Sequence, residues 1–194
     1  MSSEEIDTRT RILDAAWRLL EQQQGQGVKM GDIAKAVGIS RQAVYLHFPN
    51  RTDLLIATLS HVDEVKGLDK RLAQLEAATN STEMLRACVE IWGNYIPEIY
   101  GMAKAMLQTR DTDEAMAAAW DSAMNCLREV CQQIIEYLAS ENRLSSEWSV
   151  DQATDFFWSQ LSITNWETLT KDCGWSQQQY IEKMTSMLLK VLVS

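Results

Sequence analysis

The chain has 194 residues, of which 46% are hydrophobic and 23% are charged, and its formal net charge is −9 at pH 7. This composition excludes an intrinsically disordered chain, and the length is sufficient to bury a hydrophobic core. Only two prolines occur, whereas Ala, Leu, Glu and Gln are frequent, so the composition predicts an all-α fold.

The N-terminal segment MSSEEIDTRTRI is polar and acidic, so we expect no signal peptide, and no run of about 18 apolar residues predicts a membrane-spanning helix. The four cysteines form no C-x-x-C pair: they are Cys88, Cys126, Cys131 and Cys173. We therefore expect free structural thiols in a reducing cytoplasm, with no bound metal or cofactor.

Basic charge is concentrated in one short segment. Residues 29–51 contain one acidic residue, Asp32, and four basic ones, which gives a net charge of +3; the basic residues are Lys29, Lys35, Arg41 and Arg51. Residues 54–194 contain 11 basic and 20 acidic residues, which gives a net charge of −9. This asymmetry indicates two functional parts, which we place at residues 1–53 and 54–194.

Three helices are predicted before residue 50. Apolar residues at helical spacing, beginning with Ile6, predict the first over residues 6–23, ended by the segment GQG at 25–27. The second is expected over residues 32–37, with Gly38 ending it in left-handed geometry. Ser40 is a suitable N-cap for the third, over residues 41–47.

Later helices follow from the same periodicity. Asn50 can cap a fourth helix, with Asp53 in its first turn, which we expect to run towards Leu75 and to join the two domains rigidly. Further helices are expected over about 81–96 (capped by Asn80 or Ser81), from Pro97 to about 107, and over about 112–141, 149–170 and 176–193. The sequence thus predicts about nine helices and no strands.

The second and third predicted helices have the pattern of a helix-turn-helix. Two short helices joined by a glycine-containing turn place the second helix in the major groove of DNA, with its first residues towards the base edges. The apolar residues expected to pack the pair together are Ile33, Ala34, Val37, Ile39 and Val44.

The polar residues of the third helix suit DNA recognition. Arg41 can pair with guanine, Gln42 with adenine, and Ala43 can contact a thymine methyl group. Taken singly, each would be an ordinary solvated residue. Their combination on one helix, behind a glycine turn in the basic segment, predicts base reading.

Phosphate contacts are predicted around the same helix. Tyr45 and His47 can donate hydrogen bonds to phosphates. Lys29 and Arg51 lie at the starts of flanking helices, where backbone N–H groups also favour phosphate.

Three runs of residues share the spacing of one known family: Arg9-x-x-Ile12-Leu13-x-Ala15-Ala16, Asp32-Ile33-Ala34-x-x-x-Gly38-Ile39-Ser40, and Tyr45-x-His47-Phe48-x-Asn50-Arg51-x-x-Leu54-Leu55. Through these motifs, residues 9–55 resemble the DNA-binding domain of the tetracycline-repressor (TetR) family of bacterial regulators. The resemblance implies that residues 41, 42 and 43 read bases and that Ser40, Tyr45, His47 and Arg51 hold phosphates. It also implies that a helical ligand-binding and dimerisation domain follows.

Some positions depart from the family pattern. Lys29 stands where a capping Thr or Ser is usual, so it keeps a phosphate role by charge but loses the cap. Gly31 replaces a long polar residue, and Arg51 replaces a lysine. The usual glycine at the end of the first helix falls on Gln24, with Gly25 one residue later. These changes affect which DNA sequence is read, not whether DNA is bound.

Residues 76–194 contain six of the seven tryptophans and seven of the nine methionines. Core packing accounts for most of them. The functional alternative is a pocket for a small lipophilic or aromatic effector, because Met adapts its shape and Trp and Tyr present flat apolar area with a polar tip. The candidates near Pro97, where the resemblance places the effector, are Trp92, Tyr95, Tyr100, Met102, Met106, Trp120 and Met124.

The last two predicted helices indicate an interface. Residues 153–169 are apolar around most of the helix circumference, which requires cover on more than one side. We expect a second subunit to supply it, through Phe157, Leu161, Trp166, Ile181, Met184 and Leu188. A twofold homodimer would place two reading helices about one DNA turn apart on a palindromic site.

The leading hypothesis is therefore a cytoplasmic dimeric repressor that binds a palindromic operator and releases it when an effector binds. A DNA-binding protein without a small-molecule ligand, controlled by a protein or organising the chromosome, is the alternative, and activation in place of repression stays open. An enzyme is disfavoured. Only His47 and His61 occur, and the acidic residues Asp111, Asp113 and Glu114 lie at a helix start, where solvated charge is expected.

Overall fold

The computed structural model describes residues 3–22 and 28–194. Within them the helices are α1 Ser3–Gln22, α2 Met30–Val37, α3 Arg41–His47, α4 Arg51–Val65, α5 Leu68–Glu76, α6 Ser81–Thr109, α7 Glu114–Ser140, α8 Val150–Gln160, α9 Ile163–Glu167 and α10 Gln177–Leu192. A π-helical turn, Thr168–Asp172, follows α9. The described residues form no β-strand, apart from an isolated bridge between Leu144 and Val193. The all-α prediction is confirmed.

The turn of the helix-turn-helix and the start of α3 lie where their capping residues predict. Gly38 has φ +78° and closes α2 in left-handed geometry. The Ser40 hydroxyl accepts a hydrogen bond from the Ala43 N–H at 3.1 Å and starts α3. Helix α2 begins two residues earlier than expected, at Met30. The predicted break at GQG, with Gln24 and Gly25, lies outside the described residues, as does the side chain of Ile6.

Helix α4 is shorter than predicted. The Asn50 side chain caps it by accepting from the Asp53 N–H at 2.8 Å, as expected. It ends at Val65, however, and does not continue to Leu75. Gly67 has φ +68°, a left-handed conformation that a helix interior excludes, and α5 starts immediately after it. The prediction of one long connecting helix is wrong for this reason.

Helix α6 continues through Pro97, where the sequence predicted a new helix. Proline removes one backbone N–H, which leaves the carbonyl four residues earlier without its helical partner. That carbonyl belongs to Gly93, and it accepts a hydrogen bond from the Gln177 side-chain amide instead. A distant side chain therefore replaces the missing donor. The helix begins after Asn80, whose side chain accepts from the Glu83 N–H at 2.9 Å.

The segment predicted as one helix over residues 149–170 is divided. Helix α8 ends at Gln160, and the Ser162 hydroxyl caps α9 by accepting from the Asn165 N–H at 3.1 Å. Apolar periodicity did not reveal the break, because buried side chains occur on both sides of it, including Phe157 and Trp166. Helix α10 agrees with its prediction and starts with a capping box formed by Ser176 and Gln179.

The chain divides into two compact units. The first comprises the residues up to Lys66 together with Ile99–Met124; its helix-turn-helix part is built on buried residues such as Ile12, Ile33 and Leu54. The second comprises Gly67–Glu98 and Asn125–Ser194. The division differs from a single boundary at residue 53, because the end of α6 and the start of α7 belong to the first unit.

All four cysteines are free thiols, as expected; Cys88 and Cys131 are buried, and Cys126 and Cys173 are exposed. Among the helices described, none is both long and apolar enough to cross a membrane. The described residues contain no cluster of three metal-ligating side chains.

Candidate nucleic-acid interface

Helix α3 packs against the rest of the first unit through the apolar side chains on one of its faces. Ile33, Ala34 and Val44 are buried, as predicted, whereas Val37 and Ile39 are only half-buried. Burial of Val44 on α3 forces the residues on the other side of this short helix towards solvent.

Helix α1 supports both helices of the motif through two arginines that sequence reasoning left without a structural role. The Arg11 guanidinium donates to the Val37 carbonyl at the end of α2, at 2.9 Å. The Arg9 guanidinium lies 4.4 Å from the centre of the Phe48 ring, at the end of α3. Stacking of a cation on an aromatic ring is favourable, so α1 stabilises the ends of both helices.

The outward face of α3 carries most of the residues predicted to contact bases. Arg41 and Gln42 are exposed and Ala43 is half-buried. Tyr45 is 38% exposed. The Arg41 guanidinium donates to the Tyr45 hydroxyl at 3.2 Å and lies 5.5 Å from its ring centre. The structure thus brings a predicted base-reading residue and a predicted phosphate ligand into direct contact.

One exposed residue of α3 was missed by the sequence analysis. Leu46 is 87% exposed, the largest exposure among the bulky apolar residues of the described chain. A leucine in a helix usually indicates core packing, so nothing in the sequence marked Leu46 as a surface residue. On a helix presented to DNA, such a side chain can contact a thymine methyl group.

Four of the predicted DNA-contacting residues line one open cleft of about 570 Å³ in the first unit: Lys29, Arg41, Tyr45 and Arg51. Lys29 is exposed at the start of α2 and makes no side-chain cap, as predicted. Ser40, Gln42, Ala43 and His47 are not in the lining of this cleft. The half-buried His47 lies at the end of α3.

The sequence analysis predicted an Arg51 side chain open to phosphate, whereas in the structure its guanidinium already has two protein partners. Its Nε donates to the Val28 carbonyl at 2.5 Å, and its Nη1 donates to the Asp113 carboxylate at 2.5 Å. Asp113 was expected to be a solvated charge, and this expectation is wrong. The Arg51 guanidinium lowers the pKa of Asp113 below its ordinary value. The partners are 62 residues apart in the chain, so no local sequence signal connects them.

The seven predicted effector residues fall into two groups. Trp92 and Tyr95 are buried in the second unit, with ring centres 6.0 Å apart. The others belong to the first unit, where Met102, Met106 and Trp120 are buried and Tyr100 and Met124 are half-buried. The Tyr100 hydroxyl accepts from the Lys104 amine at 3.0 Å.

The residues predicted to need a second subunit are mostly covered within one chain. Ile181 is half-buried, and the other five are buried: Phe157, Leu161, Trp166, Met184 and Leu188. The Trp92 indole donates to the Leu161 carbonyl, and the Trp166 indole donates to Gln177 at 3.0 Å. Most of these side chains are therefore covered within a single chain, and their role in an interface between subunits stays a prediction.

The comparisons with known proteins agree with the helix-turn-helix. Residues 12–58 match the family model described as bacterial regulatory proteins, tetR family. The regulator AcrR of Shigella flexneri is 48% identical over 48 residues, which cover 25% of this chain and 22% of AcrR. The nucleoid occlusion factor SlmA of a Marinomonas strain is 34% identical over 64 residues, which cover 33% of this chain and 32% of SlmA. The chain thus aligns with about a fifth to a third of these two relatives.

Similarity over the full length is structural. A transcriptional regulator from Saccharomonospora viridis, solved in complex with choline, is similar with a TM-score of 0.74 and 18% identity, over 97% of this chain and 98% of the other. At this identity the likeness shows the fold alone. Residues 12–58 are therefore similar to bacterial regulatory proteins of the tetR family, and the rest of the chain is similar to the solved regulator in fold.

Proposed function

We propose that the chain is a transcriptional regulator that reads a DNA operator with α3. The observation that carries the proposal is the geometry of this helix. Ser40 caps its start, Val44 anchors one face, and Arg41 and Gln42 extend from the other face into solvent. Guanidinium and amide groups presented in this way match the hydrogen-bonding pattern of bases in the major groove.

A homodimer on a palindromic operator is part of the proposal. A seven-residue helix reaches only a few base pairs, so twofold symmetry is the common way to double the site. Since five of the six predicted interface residues are buried within one chain, we place the contact on neighbouring partly exposed residues. An open groove of about 530 Å³ between α6 and α10 includes Ile181, with Arg86, Glu90 and Leu189.

Control by a small effector is proposed for the same protein. The buried aromatic and methionine side chains offer apolar contact, and three buried hydroxyls of the second unit have no hydrogen-bond partner among the described residues, those of Thr82, Thr154 and Tyr180. Such groups can hydrogen-bond to a ligand. The similar fold of the choline-bound regulator supports a small-molecule site. We propose that effector binding releases the operator in the cytoplasm, with a coupling of about 1–3 kcal/mol.

The second candidate function is a DNA-binding protein without a small-molecule ligand. Its support is the 34% identity with SlmA, whose name describes nucleoid occlusion. The two candidates differ in one observable. An effector-controlled regulator dissociates from its operator when the right compound from a lipophilic library is added, whereas a DNA-binding protein without a small-molecule ligand stays bound.

The decisive experiment is selection from a random duplex library with the purified chain. The wild type is expected to enrich a palindrome. Tyr45→Ala should weaken binding to every sequence, whereas Arg41→Ala should change the preference at one base pair of each half-site. Failure of the wild type to retain any duplex at low salt would contradict the proposed function.

A further inference from the structure

The Arg51 guanidinium is occupied in the free chain. It lies between the Val28 carbonyl and the Asp113 carboxylate, each 2.5 Å from one of its nitrogens. The side chains of Arg51 and Asp113 are only 22% and 18% exposed. The cation that the family resemblance assigns to a phosphate is therefore already neutralised by a carboxylate of the same unit.

Asp113 is held in place independently of Arg51. Its carboxylate accepts from the Met116 N–H at 3.2 Å, and its carbonyl accepts from the Ala117 N–H at 2.9 Å, so it is the N-cap of α7. A helix N-terminus favours a negative charge, and the lowered pKa keeps the carboxylate ionised at neutral pH. The acid is thus a fixed charge on a rigid element.

This carboxylate faces the predicted DNA contacts. Asp113 lines the same open cleft as Lys29, Arg41, Tyr45 and Arg51, all within the first unit. A phosphate that enters this cleft meets a like charge at the position where the Arg51 guanidinium should attract it. Like charges at close range are unfavourable, so the carboxylate opposes the contact that the arginine would make.

We propose that Asp113 competes with DNA phosphate for Arg51 and thereby sets the DNA affinity of the first unit. In this role Asp113 is a positioning residue, because it acts through Arg51. While the guanidinium stays paired with this carboxylate, one phosphate contact per subunit is withheld from DNA. The inference rests on the proposed DNA-binding function.

The test compares Asp113→Asn with Asp111→Asn on a labelled duplex of random sequence. Asparagine is as good an N-cap as aspartate, so the first variant removes the charge and keeps the start of α7. Asp111 is an exposed acid two residues away, and its variant changes the net charge of the chain equally. Binding is followed by fluorescence anisotropy over a salt series.

At about 50 mM salt, Asp113→Asn should bind DNA about tenfold more tightly for each phosphate that the released Arg51 contacts. The slope of log K against log salt concentration should be steeper by about 0.9 per subunit. Asp111→Asn should leave the slope unchanged. A general loss of structure would not steepen the slope, so this readout separates competition from a structural role. Asp113→Ser, which also keeps a capping hydroxyl, should reproduce the effect.

A double-mutant cycle identifies the partner. In an Arg51→Gln background, Asp113→Asn should no longer change the slope, because no guanidinium remains to be released. If wild type binds DNA and Asp113→Asn binds equally or more weakly, the carboxylate does not compete and the inference is wrong. If no variant binds DNA at any salt, the proposed function itself fails, which is a different result.

Discussion

The Arg41 guanidinium donates a hydrogen bond to the Tyr45 hydroxyl at 3.2 Å, one helical turn along α3, and also lies over its ring. The two groups are predicted to contact a base and a phosphate respectively. In the free chain they contact each other, so the reading face is already partly ordered. Preorganisation of this kind reduces the entropy that binding must remove.

Tyr45→Phe should weaken binding to all duplexes by a similar factor, about 3- to 10-fold, because it removes one hydrogen bond of about 0.5–1.5 kcal/mol and keeps the ring under Arg41. Competition binding against a panel of single-base operator variants measures this. The control is Arg41→Lys, which keeps the charge but loses bidentate geometry and should alter the preference at one base pair. A change of base preference with Tyr45→Phe would contradict the assignment of roles.

Gly38→Ala should lower the stability of the first unit by about 1–2 kcal/mol, since an alanine there must adopt the left-handed conformation at φ +78°. Thermal unfolding followed by circular dichroism measures it. Gly31→Ala is the matched control, because neither Cβ would meet an atom within 4 Å and, of the two positions, only Gly38 has a positive φ. If the two substitutions changed the stability equally, the left-handed backbone at residue 38 would not be what requires glycine in the turn.

Gly93→Ala should destabilise the second unit by about 1–3 kcal/mol through overpacking. A Cβ at Gly93 would lie 2.7 Å from Ile181 Cγ1, whereas one at Gly101, on the same helix, would have its nearest neighbour, Glu21 Cγ, at 3.8 Å. Gly101→Ala should therefore be neutral or stabilising by up to about 1 kcal/mol. Urea unfolding gives both values.

The cause of the Gly93 effect can be tested by a second substitution. Ile181→Ala removes the atom that the new methyl group would strike, so the double variant should be more stable than the sum of the single losses predicts. Strict additivity would show that the close approach of α6 and α10 is not what requires glycine.

Tyr180→Phe should leave the protein equally stable, or stabilise it by up to about 1–2 kcal/mol, at neutral pH. The Tyr180 hydroxyl is buried without a partner among the described residues, and removing an unsatisfied group recovers its desolvation cost. The exposed Tyr45→Phe is the control for the chemical change. A clear loss of stability with Tyr180→Phe would mean that the hydroxyl has a bound partner in solution.

The same tyrosine predicts a pH dependence. Burial raises the pKa of Tyr180 above the unfolded value of 10.0, so the unfolded chain loses this proton first. The contribution of Tyr180 to the free energy of unfolding is therefore complete below about pH 10 and declines as the pH rises further. The difference in unfolding midpoint between wild type and Tyr180→Phe should be constant from neutral pH to about pH 10 and should grow in favour of Tyr180→Phe above it.

Local sequence determined the boundaries of the helix-turn-helix. Gly38, Ser40 and Asn50 act through their own backbone geometry or through hydrogen bonds to residues three positions away, so their effect is readable without a fold. The exposed face of α3 follows from the same spacing, since burying Val44 leaves Arg41 and Gln42 outward. These features lie within residues 12–58, which match the family model.

Tertiary structure alone decided the features that depend on distant partners. Gln177 satisfies the carbonyl that Pro97 leaves free, so α6 continues where local rules predicted a break. Asp113 lies 62 residues from Arg51 in the chain and pairs with it, so the positive charge of Arg51, which the sequence analysis counted as available to DNA, is neutralised in the free chain. Capping and periodicity act over one or two helical turns, whereas cover for an apolar face and a partner for a charge can come from anywhere in the chain. The sequence by itself therefore determined where α3, the proposed DNA-reading helix, begins and which side chains it exposes, and only the fold decided which of the neighbouring charges is free to act.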